Sequence, residues 1–228
     1  MLREIVLDTE TTGLDPSAGD RVVEIGCVEL SNHIPTDKTF HRYINPEREM
    51  PEQAFKVHGL SSDFLSTKPM FADVIEDFLS FISDSTLIIH NSSFDMGFIN
   101  FELRQLGREP IDNPIIDTVG LARKKYPGAS ASLDALCKRL EIDNSHRELH
   151  GALLDANLLA LVYIELIGGR QQNFTLSNKM GLKKGTDHIE RNEKPDRMFQ
   201  VSCNEARDHE KFLESLDNAL WLQIERQK

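Results

Sequence analysis

The chain reads as an α/β domain on a mixed sheet, an antiparallel meander extended by parallel strands, with helices on both faces. Three observations predict it. Residues 4–9 and 21–30 are rich in β-branched and aliphatic side chains and flank a Gly/Pro/Asp turn. A third strand near 39–44 follows closely, and short connections suit antiparallel pairing because tight turns can join such strands. From residue 70 onward, helical and strand patterns alternate, as when helices cover a sheet.

The later elements follow in order. Phe71, Val74, Phe78 and Ile82 recur at steps of three and four, which predicts a helix over 70–82. Thr86-Leu-Ile-Ile-His90 is a short buried strand, followed by a helix near 94–106. A strand around 115–117 and helices near 118–125, 132–140 and 151–167 complete a first domain, residues 1–170. Residues 171–201 are polar without sustained periodicity and read as a linker. From Ser202 a helical pattern returns in Ala206, His209, Leu213, Leu216 and Leu220, so 202–228 forms a C-terminal segment. Ser202 and Glu205 have the form of a capping box at its start.

Bulk properties narrow the function classes. Three widely spaced cysteines, Cys27, Cys137 and Cys203, favour reduced thiols over a disulfide framework or zinc ribbon. No basic segment followed by an apolar stretch opens the chain, and the longest apolar run, Leu158 to Ile164, is too short to span a bilayer. A cytoplasmic protein with no membrane association is the expectation. The formal charge of −11 lies wholly in residues 1–170, with 16 basic and 27 acidic side chains; residues 171–228 carry 10 of each. Such a domain can still bind a polyanion if its carboxylates hold cations that reverse the local sign.

Three short stretches carry the chemistry. In Asp8-Thr9-Glu10-Thr11-Thr12-Gly13, alternation places Asp8 and Glu10 on one side of a strand. Two adjacent carboxylates repel each other, and a divalent metal between them relieves that cost; two exposed loop acids are the bland alternative. Asp95, in His90-Asn-Ser-Ser-Phe-Asp95, follows a buried strand and opens a helix, at the end of the sheet where α/β sites form. Taken singly, it reads better as an acid facing the helix dipole. His150-Gly-Ala-Leu-Leu-Asp155 spaces its ends by five residues, about 140° around a helix, so the two cannot share a face. His150 is therefore expected on the loop before the helix and Asp155 on its inner face, among Leu158, Leu159, Val162 and Leu166. No Walker loop, G-x-S-x-G elbow or H-E-x-x-H motif supports another enzyme class.

Together these residues resemble the DEDDh family of 3′→5′ exonucleases, over about residues 3–170. The matching positions are Asp8 and Glu10 in D-x-E-T-T-G, Asp95 in H-N-x-x-F-D, and His150 and Asp155 in H-x-A-x-x-D. A sister subgroup has tyrosine four positions before the last acid, where this chain has Gly151. The resemblance implies a ribonuclease H-like domain and two divalent cations, Mg²⁺ or Mn²⁺. It places Asp8, Glu10 and Asp155 on one ion, with Asp8 and Asp95 serving the second. Two cations about 3.5–4 Å apart stabilise both the attacking and the leaving oxygen of an in-line displacement. His150 is implied as general base, a task suited to an imidazole because its ordinary pKa is about 6.5. The substrate implied is a single-stranded or frayed 3′ end of DNA. Its terminal nucleotide would lie near Asp8 and Glu10, against Thr11, Thr12 and Gly13, with His58 in Val57-His58-Gly59, Gln53, Asn91 and Phe94 as further contacts. Without the family, His58 reads equally as a surface turn histidine and Phe94 as core.

The tail resembles one branch of that family, the epsilon-type proofreading subunits of bacterial DNA polymerase III. Gln171-Gln-Asn-Phe-Thr-Leu176 has the look of a sliding-clamp-binding motif anchored by Gln171, Phe174 and Leu176, although its last position is more often aromatic. The segment 202–222, with Leu213, Leu216, Leu220 and Trp221, resembles the part that docks on the polymerase (alpha) subunit. An isolated helix of this length is marginal in water, so its apolar stripe wants a partner. Two other readings remain open: an RNA-trimming exonuclease of the same catalytic family, and a non-catalytic adaptor that kept the fold.

Overall fold

The structure, a computed structural model, describes residues 2–145, 149–168 and 201–216. The chain divides into two units, Met1–Thr175 and Leu176–Lys228. The first is built on a five-stranded sheet of order β3-β2-β1-β4-β5. Its strands are β1 (Arg3–Thr11), β2 (Val22–Ser31), β3 (Ile34–Tyr43), β4 (Thr86–Ile89) and β5 (Ile115–Asp117). β1, β2 and β3 pair antiparallel, whereas β4 joins β1 and β5 joins β4 in parallel, which is the mixed sheet expected.

Alternation along β1 sorts the core into two layers. Ile5 and Leu7 join Ile25, Cys27 and Phe40 against helices α3 (Phe71–Ile82) and α4 (Ser92–Gln105). Val6 and Val28 face the other way, toward α5 (Thr118–Lys125), α6 (Leu133–Arg139) and α7 (Ala152–Ile167). β1 is thus covered on both sides, and its two faces report to different helices.

Two contacts fix α7 along the sheet. At its far end the buried Tyr163 hydroxyl donates to Glu4 Oε1 at 2.7 Å; burial and that carboxylate push the phenol's pKa well up. At its near end, a Cβ on Gly26 of β2 would fall 2.3 Å from the backbone of Ala152 and Leu153. Glycine is required there because the first turn of α7 lies directly on the strand.

Several bounds differ from expectation. β3 begins at Ile34 rather than near 39; its first half, Ile-Pro-Thr-Asp-Lys, is largely exposed and looks like loop, and an edge strand accommodates its proline. Two short helices, α1 (Glu52–His58) and α2 (Ser62–Ser66), occupy a stretch for which no element was expected. In the second unit, α8 (Cys203–Glu214) is capped by Ser202 and Glu205 as a reciprocal box. Leu213 is buried there and Leu216 exposed. The expected anchors Gln171, Phe174, Leu176, Leu220 and Trp221, and the linker, lie outside the described residues. None of Cys27, Cys137 and Cys203 forms a disulfide among the described residues. Among the described residues, no helix is long and apolar enough to cross a membrane.

Candidate active site

β1 runs unbroken to Thr11, so Asp8 and Glu10 leave it on the same side, the one facing α7. Their cross-strand partners are Gly26 and Glu24. The missing side chain at Gly26 lets the start of α7 approach, which brings Asp155, in the helix's first turn, into the same space. Asp155 is buried, and His150 precedes the helix with an exposed side chain. His150 Nδ1 lies 3.4 Å from Asp155 Oδ2. The His150 loop is itself tied down: its backbone N–H donates to the Val57 carbonyl at 3.0 Å.

Asp95 arrives from the opposite layer. Thr9, between the two acids of β1, points toward α4, and its hydroxyl donates to Asp95 Oδ1 at 2.7 Å in a buried contact. Burial pushes the Asp95 carboxyl up to about 7, against the lowering pull of hydrogen bonds from Thr9 and the backbone, with nearby Asp117 adding to the rise. β4 stops at Ile89, level with Leu7, so Asp95 reaches the cleft beyond the end of that strand.

All five side chains, Asp8, Glu10, Asp95, His150 and Asp155, line one cleft of about 300 Å³, together with Asn91 and Phe94. Within it, Glu10, His150 and Asp155 offer ligand atoms that all lie within 4.8 Å of one another. Asp8 and Asp95 line the same cleft outside that tight group. Carboxylate oxygens with one imidazole suit a hard divalent cation, and the burial of Glu10 and Asp155 side by side favours one.

The other candidate substrate residues are placed less directly. Thr11 and Thr12 are engaged locally: the Thr11 hydroxyl donates to the Gly13 carbonyl at 2.6 Å, and Thr12 Oγ1 accepts from the Arg21 N–H at 3.0 Å. At Gly13, the volume of a Cβ is taken by the Asp20 carboxylate, 2.2 Å from where it would stand. Its lack of a side chain therefore serves this loop packing before any substrate. Gln53 is exposed on α1. His58 is no surface turn residue: it ends α1, is 5% exposed, and accepts from the Leu60 N–H through Nδ1 at 3.0 Å. Burial lowers its pKa. None of Thr11, Thr12, Gly13, Gln53 or His58 lines the cleft itself. Phe94 packs on Phe98, with ring centroids 5.0 Å apart, and also forms part of the cleft wall.

Sequence reasoning passed over Thr9, His90, Ser132, Leu133 and Asp134, which also line the cleft. Thr9 was readable, since strand alternation turns it away from Asp8 and Glu10 toward α4. Ser132 caps α6 by accepting from the Ala135 N–H, and nothing local in Ser-Leu-Asp announces that this cap borders the site.

Comparison with known proteins agrees with this geometry. Residues 5–163 match the exonuclease family model, RNase_T. A DNA polymerase III subunit epsilon of Rickettsia prowazekii (strain Madrid E) is 58% identical over 182 residues, 78% of this chain and 80% of that protein. Among solved structures, exonuclease X in complex with 5′-overhanging duplex DNA superposes with a TM-score of 0.59 at 26% identity, covering 72% of this chain and 90% of its own. The nuclease domain of 3′hExo, a DEDDh family member bound to rAMP, superposes with a TM-score of 0.64 at 18% identity over 72% of this chain and 91% of its own, a likeness of fold. With the ribonuclease H-like sheet, the acidic cleft and this identity together, the chain belongs to the exonuclease family that includes the DNA polymerase III epsilon subunits and uses divalent metal.

Proposed function

We propose that the protein is a proofreading 3′→5′ exodeoxyribonuclease of a replicative polymerase, releasing mispaired 3′-terminal nucleotides as deoxynucleoside 5′-monophosphates. The observation that carries this is the convergence of Asp8, Glu10, Asp95, His150 and Asp155 in one cleft, in a chain 58% identical to a polymerase III epsilon subunit. A non-catalytic adaptor has no use for clustered acids that repel one another. An RNA-trimming role is disfavoured by the relative's assignment to a DNA polymerase.

Two ions, Mg²⁺ or Mn²⁺, are the proposed cofactors, one held by Asp8, Glu10 and Asp155 and the second by Asp8 and Asp95. When bound, they neutralise the acids and polarise the scissile phosphodiester. The chain's own groups do the rest. Thr9 holds one oxygen of Asp95 and so fixes that side chain. His150 takes the proton of the attacking water, and Asp155 steadies the imidazolium this creates. Water oxygen adds to phosphorus, and the 3′ oxygen of the preceding nucleotide leaves and is protonated from solvent. Thr11, Thr12, Gly13, Gln53, His58, Asn91 and Phe94 are the proposed seat of the terminal nucleotide. A mismatched end reaches it most readily, because less pairing must be broken.

The deciding experiment incubates a 3′-mismatched primer–template with Mg²⁺ or Mn²⁺, with and without chelator, and identifies products. Metal-dependent release of 5′-monophosphates, faster than from a paired end, is expected. Absence of cleavage with either metal, or release of 3′-monophosphates, overturns the proposal. His150→Ala is expected to lose about 10²–10⁴-fold in turnover, the usual worth of a general base, with DNA affinity intact. Turnover like that of the parent would remove His150 from that role.

The tail is proposed to hold the nuclease at the primer end, which also implies a cytoplasmic location. Leu213, Leu216, Leu220 and Trp221 would dock on the polymerase subunit, and Gln171, Phe174 and Leu176 on the sliding clamp. Tethering raises the effective concentration at the 3′ end without new active-site contacts. Deleting 177–228 is expected to abolish co-elution with the polymerase subunit on size exclusion while leaving hydrolysis of free single strands unchanged. Undiminished co-elution would end the docking idea.

A further inference from the structure

Residues 123–139 hold five basic side chains and a single acid, Asp134, within a domain whose net charge is −11. All five lie in the last turns of two helices, Arg123, Lys124 and Lys125 in α5 and Lys138 and Arg139 in α6. Tyr126, which closes α5, has Lys125 Nζ 6.0 Å and Arg139 Cζ 4.9 Å from its ring centroid, so the ends of α5 and α6 converge on it. Arg123, Lys124, Lys125, Lys138 and Arg139 are all exposed. Two of them have local duties: Lys125 donates to the carbonyls of Glu165 and Leu166 at the end of α7, and Arg139 to the Ser130 carbonyl. Among the described residues, Arg123, Lys124 and Lys138 meet no carboxylate at ion-pair distance. Glu165, whose carbonyl accepts from Lys125, shares a separate cleft with Glu141 and Asp143.

A cation near each helix end is explained by the helix dipole. Three further unpaired ones in an acidic domain are not. The other end of α6 supplies Ser132, Leu133 and Asp134 to the cleft wall. Seven residues at about 1.5 Å each make α6 roughly 10 Å long, so its basic end stands that far from the end that borders the cleft. The cleft is itself acidic and repels phosphate until cations enter, so sequence-independent attraction for a strand must come from elsewhere.

We infer that the convergent ends of α5 and α6 are a landing surface for the phosphate backbone of a DNA strand, engaging it behind the 3′ end held in the cleft. That orientation rests on the nuclease reading above; the attraction itself does not. In the full chain, binding of a labelled single strand of about twenty nucleotides is followed by fluorescence anisotropy in chelator, across a range of salt. Each phosphate contact contributes about 0.7 to the log–log salt slope on single strands. The variant R123S/K124S/K138S is therefore expected to lose about 2 from that slope and to bind more than tenfold more weakly at low salt. Its hydrolysis of a p-nitrophenyl ester of a nucleoside 5′-monophosphate stays at the parent level, and a nucleoside 5′-monophosphate binds both proteins alike. Lysine–arginine exchange at the three positions restores the slope. An unchanged slope overturns the inference, as does equal weakening toward the nucleoside monophosphate. Should the triple variant fail to fold, K124S/K138S carries the test, with a loss of about 1 expected and no loss overturning it. Failure of the nuclease reading would appear separately, as no ester hydrolysis by the parent protein.

Discussion

Asp8→Ala is expected to lower turnover at least about a thousand-fold at saturating Mg²⁺, about 4 kcal/mol of barrier at 1.36 kcal/mol per decade. Asp8 sits in the cleft next to Glu10 on the α7 face of β1, and it is the least buried of the four acids. Removing it therefore leaves no hole in either core layer. It also relieves repulsion, so the metal-free variant should melt no lower than the parent. The same substitution should abolish most of the rise in melting temperature that Mg²⁺ or Mn²⁺ gives the parent. A variant that keeps full activity refutes the assignment of Asp8 as a ligand. One that loses activity but retains the whole metal-induced rise would move the ligand role to the remaining acids.

Gly26→Ala is expected to damage fold and activity together. The added methyl would stand 2.3 Å from Ala152 C and Leu153 N and 2.5 Å from Ala152 O. These are backbone atoms, so no rotamer change relieves the overlap, and the first turn of α7 must lift from β2. Overpacking of this kind costs about 1–3 kcal/mol. The displaced turn carries Asp155 and follows His150, so turnover should fall more than stability alone accounts for. Gly120 on α5 is the control: a Cβ there meets nothing within 4 Å, and alanine should stabilise that helix slightly. Urea melts and single-turnover cleavage on both variants check this. A Gly26→Ala protein matching the parent in both would show that α7 does not depend on that close approach.

What could be read from the residues beforehand was whatever local periodicity dictates. The alternation in Glu4–Thr11 places Asp8 and Glu10 on one side, and the five-residue step from His150 to Asp155 puts one before α7 and the other on its buried face. Helices α1 and α2, with seven and five residues, are too short for a periodic stripe, and they leave Phe55, Val57 and Phe64 exposed. His58 looked like a turn residue because nothing local signals the packing that buries it. Long-range contacts were equally invisible: Thr9 and Asp95 are 86 positions apart, and the bond between them depends on β4 ending where it does. Gly26 looks like an ordinary glycine in sequence yet admits a helix, and Gly13, expected to let a substrate approach, admits a carboxylate of its own chain.

Because β1 carries Asp8 and Glu10 on one face and Thr9 on the other, the proposed reactive centre draws on both halves of the sandwich. Neither α4 alone nor α7 alone can supply a working set of acids. A chain caught midway through folding, with one layer docked and the other loose, is therefore harmless to the genome it serves. Cutting ability arrives only with the finished molecule.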